Sequence, residues 1–327
     1  MTIQITIIGL GQIGASIGLA LAKHKEKILR CGHDPEPTRA KNMEKVGAVD
    51  KIFFNLPESV RDADIVLLAL PAGQVEETLK YIADDLRPGV VVIETSPVHA
   101  GIIALAKKVL SNDRHFISIY PVINPIYIEE SAIDAQTPHA DLFENAVFLV
   151  AAENTTHPDA LKLVEDLASL VNASVYISDP AEADGISARV ELLPQLLAAA
   201  LIHTTIDQAG WNDGRRSASK SYARVTSVID TDGGEVGKGT QFVLNQVGSL
   251  QVIDQITDTL QDLRDMISEN NELDLNKYMK NVQEQRTRWI EQRRAGDWEK
   301  YVGEKPPSTK ERIGGLFGLR ERKKKSP

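Results

Sequence analysis

The sequence predicts an α/β protein: an N-terminal doubly wound parallel sheet of Rossmann type, followed by an all-α C-terminal domain. Three observations carry this. A β-branched run, Ile3, Ile5, Ile7 and Ile8, leads into Gly9, Gly11 and Gly14 at the spacing G-x-G-x-x-G, and a small-residue helical stretch follows. Short apolar runs bounded by turn residues then alternate with helical patterns to about residue 178, as in strands joined by crossover helices. Beyond Asp179 the apolar residues fall at three-four spacing and no strand pattern recurs. The expected domains are therefore 1–178 for nucleotide binding, 179–295 for a helical unit and 296–327 for a disordered basic tail.

Each glycine of the first stretch has a physical task. Gly9 permits the tight strand-to-helix turn, Gly11 lets the backbone approach a pyrophosphate, and Gly14 lets the helix pack on the strand. Leu10, Gln12 and Ile13 complete the loop, whose free N–H groups and helix dipole favour an anion. Residues 27–32 read as the second strand, and Asp34 lies 20 residues past Gly14. An acidic side chain there hydrogen-bonds ribose hydroxyls and repels a 2′-phosphate. Arg39 is five residues further on, so NAD is favoured over NADP.

The alternation continues along the chain. Strands are expected at residues 51–54, 63–71, 90–94, 115–120, 146–151 and 174–177, with helices at 57–62, 74–83 and 99–110. The 63–71 run is apolar throughout, as in a parallel strand covered on both faces. Ligands bind such sheets at the carboxyl ends of the strands. This puts Leu70, Pro71, Thr95, Ser96, Tyr120 and Pro121 on a rim where a nicotinamide and its substrate would meet.

In the C-terminal half, residues 180–208 carry Val190, Leu193, Leu197, Leu201 and Ile202 on one face of a long helix. Residues 210–239, rich in Gly, Ser, Asp and Arg, read as a loop holding at most one short helix. Residues 242–271 place Val247, Leu250, Ile253, Ile256, Leu260, Leu263 and Ile267 at helical spacing, and 274–294 repeat the pattern more weakly. These stripes suggest a helical core shared in a homodimer.

Composition narrows the class. No apolar run reaches the roughly 20 residues that span a bilayer, and no basic leader precedes the first strand, so stable membrane insertion is not expected. The single cysteine, Cys31, excludes an internal disulfide framework and fits a reducing, cytoplasmic compartment. The seven histidines are scattered without metal-ligand spacing, and a net charge of −9 argues against nucleic acid. The charge is uneven: residues 305–327 hold eight Lys/Arg and two Glu, leaving −15 on the remainder.

The order of these elements resembles the prephenate/arogenate dehydrogenase family of tyrosine biosynthesis, over about residues 3–290. Residues 9–21, 63–71, 86–103 and 188–201 carry the resemblance. It implies an NAD(P)-dependent oxidoreductase that takes a hydride from the ring of prephenate or arogenate with loss of carbon dioxide. In that family a histidine in His-Pro-Met-Ala-Gly hydrogen-bonds the substrate hydroxyl. Here the matching stretch is Tyr120-Pro121-Val122-Ile123-Asn124. The family's Asp-x-x-Ser-x-Lys appears as Glu94-Thr95-Ser96-Pro97-Val98-His99, with Ser96 one position early. Its Ser-His-Leu-Pro-His becomes Glu191-Leu192-Leu193-Pro194-Gln195, and its substrate-binding arginine matches Arg224.

The residues expected to carry catalysis are thus Tyr120, Ser96 and His99, with Gln195 and Arg224 binding a small carboxylate substrate. Oxidation of a carbinol carbon needs a base near neutral pKa. Tyr120, with an ordinary value of about 10, needs a neighbouring cation for that role; His99 serves if its loop folds over the nicotinamide. Arg215, Arg216 and Arg224 form a basic loop able to clamp carboxylates, and His203 reads as a core histidine. Two alternatives stay open: a dehydrogenase or reductase for another small carboxylate, and a non-catalytic dinucleotide-binding protein.

Overall fold

Strand β1 (Ile3–Ile8) has buried residues on both faces, which decides how everything else packs. Ile3, Ile5 and Ile7 join Ile65, Leu67, Val91 and Ile93 in one core, while Ile8 joins Val66, Leu68, Val90 and Val92 in another. The period-two alternation of strand side chains produces this division. The structure, a computed structural model, describes residues 2–129, 137–206, 208–229 and 238–296. The tail expected beyond residue 296 lies outside the described residues.

Helix α1 (Gln12–Leu21) follows β1, and β2 (Ile28–His33), α2 (Pro37–Lys45), β3 (Lys51–Ile52) and α3 (Leu56–Val60) come next. Then come β4 (Ile65–Leu68), α4 (Ala72–Ile82), β5 (Val91–Glu94), α5 (Ala100–Val109) and β6 (His115–Pro121). The domain ends with β7 (Val147–Ala151), α6 (Pro158–Leu170) and β8 (Ser174–Ser178). The sheet order is β3-β2-β1-β4-β5-β6-β7-β8. β1 pairs in parallel with β2 on one side and β4 on the other, so chain order reverses there. The carboxyl ends of β1 and β4 mark the switch point where such sheets bind ligands.

The sheet is not parallel throughout. β7 runs antiparallel to β6, with Tyr120 opposite Leu149, and β8 runs parallel to β7. Residues 122–146 join these two strands and include a short helical turn at Pro125–Tyr127, and Asn124 N–H donates to Leu142 O at 2.6 Å. An antiparallel pair needs no crossover helix between its strands. Two helices also lie where no helix was expected, α2 and α6. α6 buries Leu163, Val164, Leu167 and Leu170 against the sheet, each such side chain contributing about 1.5–3 kcal/mol relative to exposure.

The helical unit starts with α7 (Pro180–Ser187), a π-helical turn at Ala188–Leu192, and α8 (Leu193–Thr205). By length and composition alone this run could cross a membrane; its buried residues include Asp184 and Ser187 as well as Ala183, Leu192 and Ala198. Two short helices, α9 (Trp211–Ser217) and α10 (Lys220–Thr226), occupy part of the stretch read as a loop. α11 (Lys238–Leu244), α12 (Gln246–Ser268) and α13 (Glu272–Ala295) complete the unit. Ala188, Leu192 and Val252 enter the core that α4 and α5 share with the sheet, so the helical unit sits on that face. α12 and α13 leave Val247, Leu250, Leu260, Ile267, Leu273 and Met279 exposed. His203 is exposed near the end of α8, not in a core, because only Ala198 of that helix is buried within one chain.

Candidate active-site cleft

A cleft of about 1940 Å³ runs along the carboxyl ends of the strands and under the helical unit. Small-molecule sites usually occupy about 300–1,000 Å³, so this one has room for a dinucleotide and a second, smaller molecule. Gly9, Leu10, Gly11, Gln12 and Ile13 form one end of its lining, with Asp34, Leu70 and Pro71. Ser96, Tyr120 and Gln195 line the same cavity. Residues far apart in sequence therefore converge where the sheet topology predicts.

The glycine loop is shaped for a diphosphate. Gly9 adopts φ +90°, open to glycine at no steric cost. A Cβ at Gly14 would strike the carbonyl oxygen of Gly9, so a side chain there would push α1 off the loop. A Cβ on Gly11 would meet nothing within 4 Å, because Gly11 faces the open cleft. Gly11 is also the residue before α1, and no side chain caps that helix. Its first N–H groups are left for an anion. Gly14 itself does not line the cavity; it acts from behind, through packing.

Asp34 holds the loop from below. Its carboxylate accepts from the Leu10 N–H at 2.8 Å and the Glu36 N–H at 2.9 Å, and Arg39 approaches at 3.5 Å. The donor set and the open Gly11 face fit an adenine dinucleotide: Asp34 would meet the ribose and the loop N–H groups the diphosphate.

The other catalytic-side residues separate into two sets. Ser96, Tyr120 and Gln195 are on the cleft wall. Gln195 Oε1 accepts from Gln241 Nε2 at 2.5 Å, tying α8 to α11. His99 is not on the wall. It is fully buried at the start of α5, where its Nδ1 is 2.8 Å from Ser118 Oγ. Its loop folds into the protein because Asp184 of α7 accepts from the His99 and Ala100 N–H groups at 2.7 and 3.1 Å. Arg224 is exposed on α10 and does not line the cleft, and Arg215 and Arg216 are likewise exposed.

Several site residues were not singled out from the sequence. Glu94 is fully buried at the end of β5 and accepts from the Ser96 N–H and from Ser118 Oγ, the latter at 3.1 Å. Burial pushes its carboxyl up to about 8, against the pull of those hydrogen bonds. Burial also lowers His99 to about 4, so its ring is neutral at physiological pH. Asp184 is raised by burial, partly offset by the His99 and Ala100 amides. Arg293 of α13 lines the cleft and donates to Ile123 O at 2.8 Å. The available signal for Glu94 was a lone acid closing the apolar run Val91-Val92-Ile93.

A Rossmann-type nucleotide-binding domain with a helical unit over its cleft defines a dinucleotide-binding protein. Residues 17–177 match the family model for the prephenate dehydrogenase nucleotide-binding domain, and residues 179–281 that for the prephenate dehydrogenase dimerization domain. The chain belongs to the prephenate dehydrogenase family. It is 30% identical over 241 residues to the prephenate dehydrogenase of Lactococcus lactis, covering 69% of this chain and 64% of the relative. The prephenate dehydrogenase of Bacillus subtilis is 26% identical over 205 residues, or 62% of this chain and 53% of the relative. The chain thus spans between 53% and 64% of the length of these curated relatives. Among solved structures, the prephenate dehydrogenase of A. aeolicus, in complex with hydroxyphenyl propionate and NAD+, superposes with a TM-score of 0.75 at 20% identity. That match covers 88% of this chain and 98% of the other.

Proposed function

We propose that this chain is an NAD-dependent dehydrogenase that oxidises prephenate or arogenate at the hydroxyl-bearing ring carbon, with loss of carbon dioxide. The observation that carries this reading is the single cavity shared by the glycine loop, Asp34 and the Ser96–Tyr120–Gln195 wall. The prephenate dehydrogenase of A. aeolicus was solved in complex with hydroxyphenyl propionate and NAD+, which agrees in kind. NAD bound on the glycine loop supplies the hydride acceptor. The chain's own residues do the rest. Asp34 orients the ribose, Ser96 and Tyr120 offer hydroxyls to the substrate, and Gln195 offers an amide held by Gln241.

Tyr120 stands where the family has its histidine, and Gln195 stands for a second one. These replacements favour a second reading, a dehydrogenase or reductase acting on a different small carboxylate in the same cleft. Purified protein is tested with NAD and each of prephenate and arogenate, following NADH absorbance. Turnover with either supports the first reading. No turnover with these two, but turnover with another hydroxy or imino acid, supports the second. Tight NADH binding without turnover across a metabolite panel would leave a non-catalytic binder.

The reading includes a homodimer, on the exposed apolar faces of α12 and α13 and on the description of the matching domain. It also includes a cytoplasmic location, in keeping with one buried free thiol, Cys31.

A further inference from the structure

A chain of four buried polar groups runs from the cleft wall into the sheet. Ser187 of α7 lines the cleft, and its Oγ is 3.5 Å from His99 Nε2. His99 Nδ1 is 2.8 Å from Ser118 Oγ on β6, and that hydroxyl is 3.1 Å from Glu94 Oε2 on β5. All four residues are fully buried. Three belong to the nucleotide-binding domain and one to the helical unit, so the chain crosses the junction beneath the site.

Each inner member can both give and accept a proton, so the chain is satisfied in two directions. With Glu94 ionised, Ser118 donates to it, His99 Nδ1–H donates to Ser118, and Nε2 faces the Ser187 hydroxyl as an acceptor. With Glu94 protonated, every bond reverses. A neutral imidazole and a hydroxyl pass a proton without holding it. We propose that Ser187, His99, Ser118 and Glu94 form a proton relay that stores on Glu94 the proton released when the substrate hydroxyl is oxidised.

This rests on the dehydrogenase reading above. The carbinol C–H bond breaks, and its hydrogen leaves with the electron pair to NAD. The O–H bond breaks as the C=O bond forms. That proton goes to Ser187 Oγ, the Ser187 proton to His99 Nε2, the Nδ1 proton to Ser118, and the Ser118 proton to Glu94. When carbon dioxide leaves, the electrons of its C–C bond flow through the ring to the carbonyl oxygen. That oxygen becomes a phenolate and recovers the proton along the same path. The relay thus lends a proton and returns it, and supplies the acceptor that Tyr120 lacks relative to a histidine.

The charged and titratable surroundings are few among the described contacts. α5 presents His99, α7 presents Asp184, β6 presents Ser118, and β4 is apolar from Ile65 to Leu68. Burial raises Glu94 to about 8 and lowers His99 to about 4. The ionised, proton-accepting form of the store therefore grows as pH rises through about 8.

Glu94→Gln tests this directly. Glutamine still accepts from Ser96 N–H and donates to Ser118, so a structural role is preserved while the exchangeable proton is lost. The expected result is a fall in kcat of roughly 100-fold, the scale of acid–base assistance. KM should change little, and the rise of kcat through pH 8 should vanish. Ser118→Ala cuts the path but leaves the store, so kcat falls similarly.

A second measurement is independent of turnover. Glu94 has a folded value above its unfolded one, so its stabilisation is complete below the unfolded value and is lost as pH rises through the folded value. His99, lowered by burial, contributes the opposite slope up to its ordinary value of about 6.5, so the urea midpoint of the wild type should decline between about pH 6.5 and 8; that decline should be lost in Glu94→Gln and kept in Ser118→Ala. Wild-type kcat in Glu94→Gln, or the same pH slope of stability in both proteins, overturns the relay. A wild type that turns nothing over, yet loses its pH slope on Glu94→Gln, supports the proton store and overturns the dehydrogenase reading instead.

Discussion

Gly14→Ala is a small change with a calculable consequence. The added methyl would overlap the Gly9 carbonyl oxygen, and would also lie 3.0 Å from Ile7 Cγ2 and 3.1 Å from Ala69 Cβ. The first obstacle is backbone, which no rotamer change relieves. Either α1 lifts from the sheet or the loop shifts by about 1 Å. Overpacking of this kind costs about 1–3 kcal/mol. The shift also displaces the N–H groups that face the diphosphate, and each charge-assisted bond lost is worth about 1.5–3 kcal/mol. One such loss raises the Kd for NADH between about 10-fold and 150-fold.

Gly11→Ala is the control. Its methyl enters open cleft space, so stability should hold while cofactor affinity falls. Thermal unfolding and NADH fluorescence titration read the two effects separately, with a Tm fall of roughly 2–4 °C per kcal/mol. Unchanged Tm and unchanged Kd in Gly14→Ala would refute the packing argument and the placement of the diphosphate together.

Asp34→Ala removes the acceptor of the Leu10 and Glu36 amides; NAD affinity should fall at least tenfold, and the NAD:NADP preference should shrink, as measured by titration with both. Asp184→Ala leaves the His99 and Ala100 amides buried without their acceptor and should cost about 2–3 kcal/mol in urea unfolding, more than Asp184→Asn. A Val247→Asp, Leu250→Asp double variant places charge on the exposed face of α12 and should turn a sedimenting dimer into a monomer. Tyr120→Phe keeps the ring on the cleft wall and removes the hydroxyl; kcat should drop tenfold or more with Tm unchanged, and full activity would remove Tyr120 from the chemistry.

The first thirty-four residues could be read in advance because their constraints are local. A strand, three glycines and an acid at fixed spacing leave little freedom, and Gly9, Gly11 and Asp34 stand where that spacing puts them. The direction of β7 could not be read this way. Its apolar pattern is the same whichever way it runs, and residues 122–146 are long enough for either connection, so only the pairing with β6 settles it. α6 is legible in its own sequence: Leu163, Val164, Leu167 and Leu170 are at helical spacing behind Pro158. α2 was not, since only Ala40 is buried.

On the substrate side, Tyr120, Ser96 and Gln195 reach the cleft wall from the positions the family pattern implies. His99 does not, because Asp184, 85 positions away, draws it inward, and no local pattern signals that contact. Glu94 was visible as an acid in an apolar strand. Its partners were not, because Ser118 and Ser187 are unremarkable serines until the sheet and α7 bring them to His99.

The π-helical turn at Ala188–Leu192 has its own consequence. The Leu193 N–H reaches back five residues to Ala188 O, so this run contains one residue more than a plain α-helix would use. Each residue turns a helix by about 100°. Ahead of the turn, Asp184 and Ser187 are aimed at the junction; after it, Gln195 and Leu196 are aimed at the cleft. The wide turn absorbs its extra residue without rotating the helix beyond it, so deleting one residue here would mend the hydrogen-bond ladder and leave α8 facing the cleft. The extra residue changes the count instead: residues before and after it that share a face of the run stand one position out of the ordinary three-four spacing.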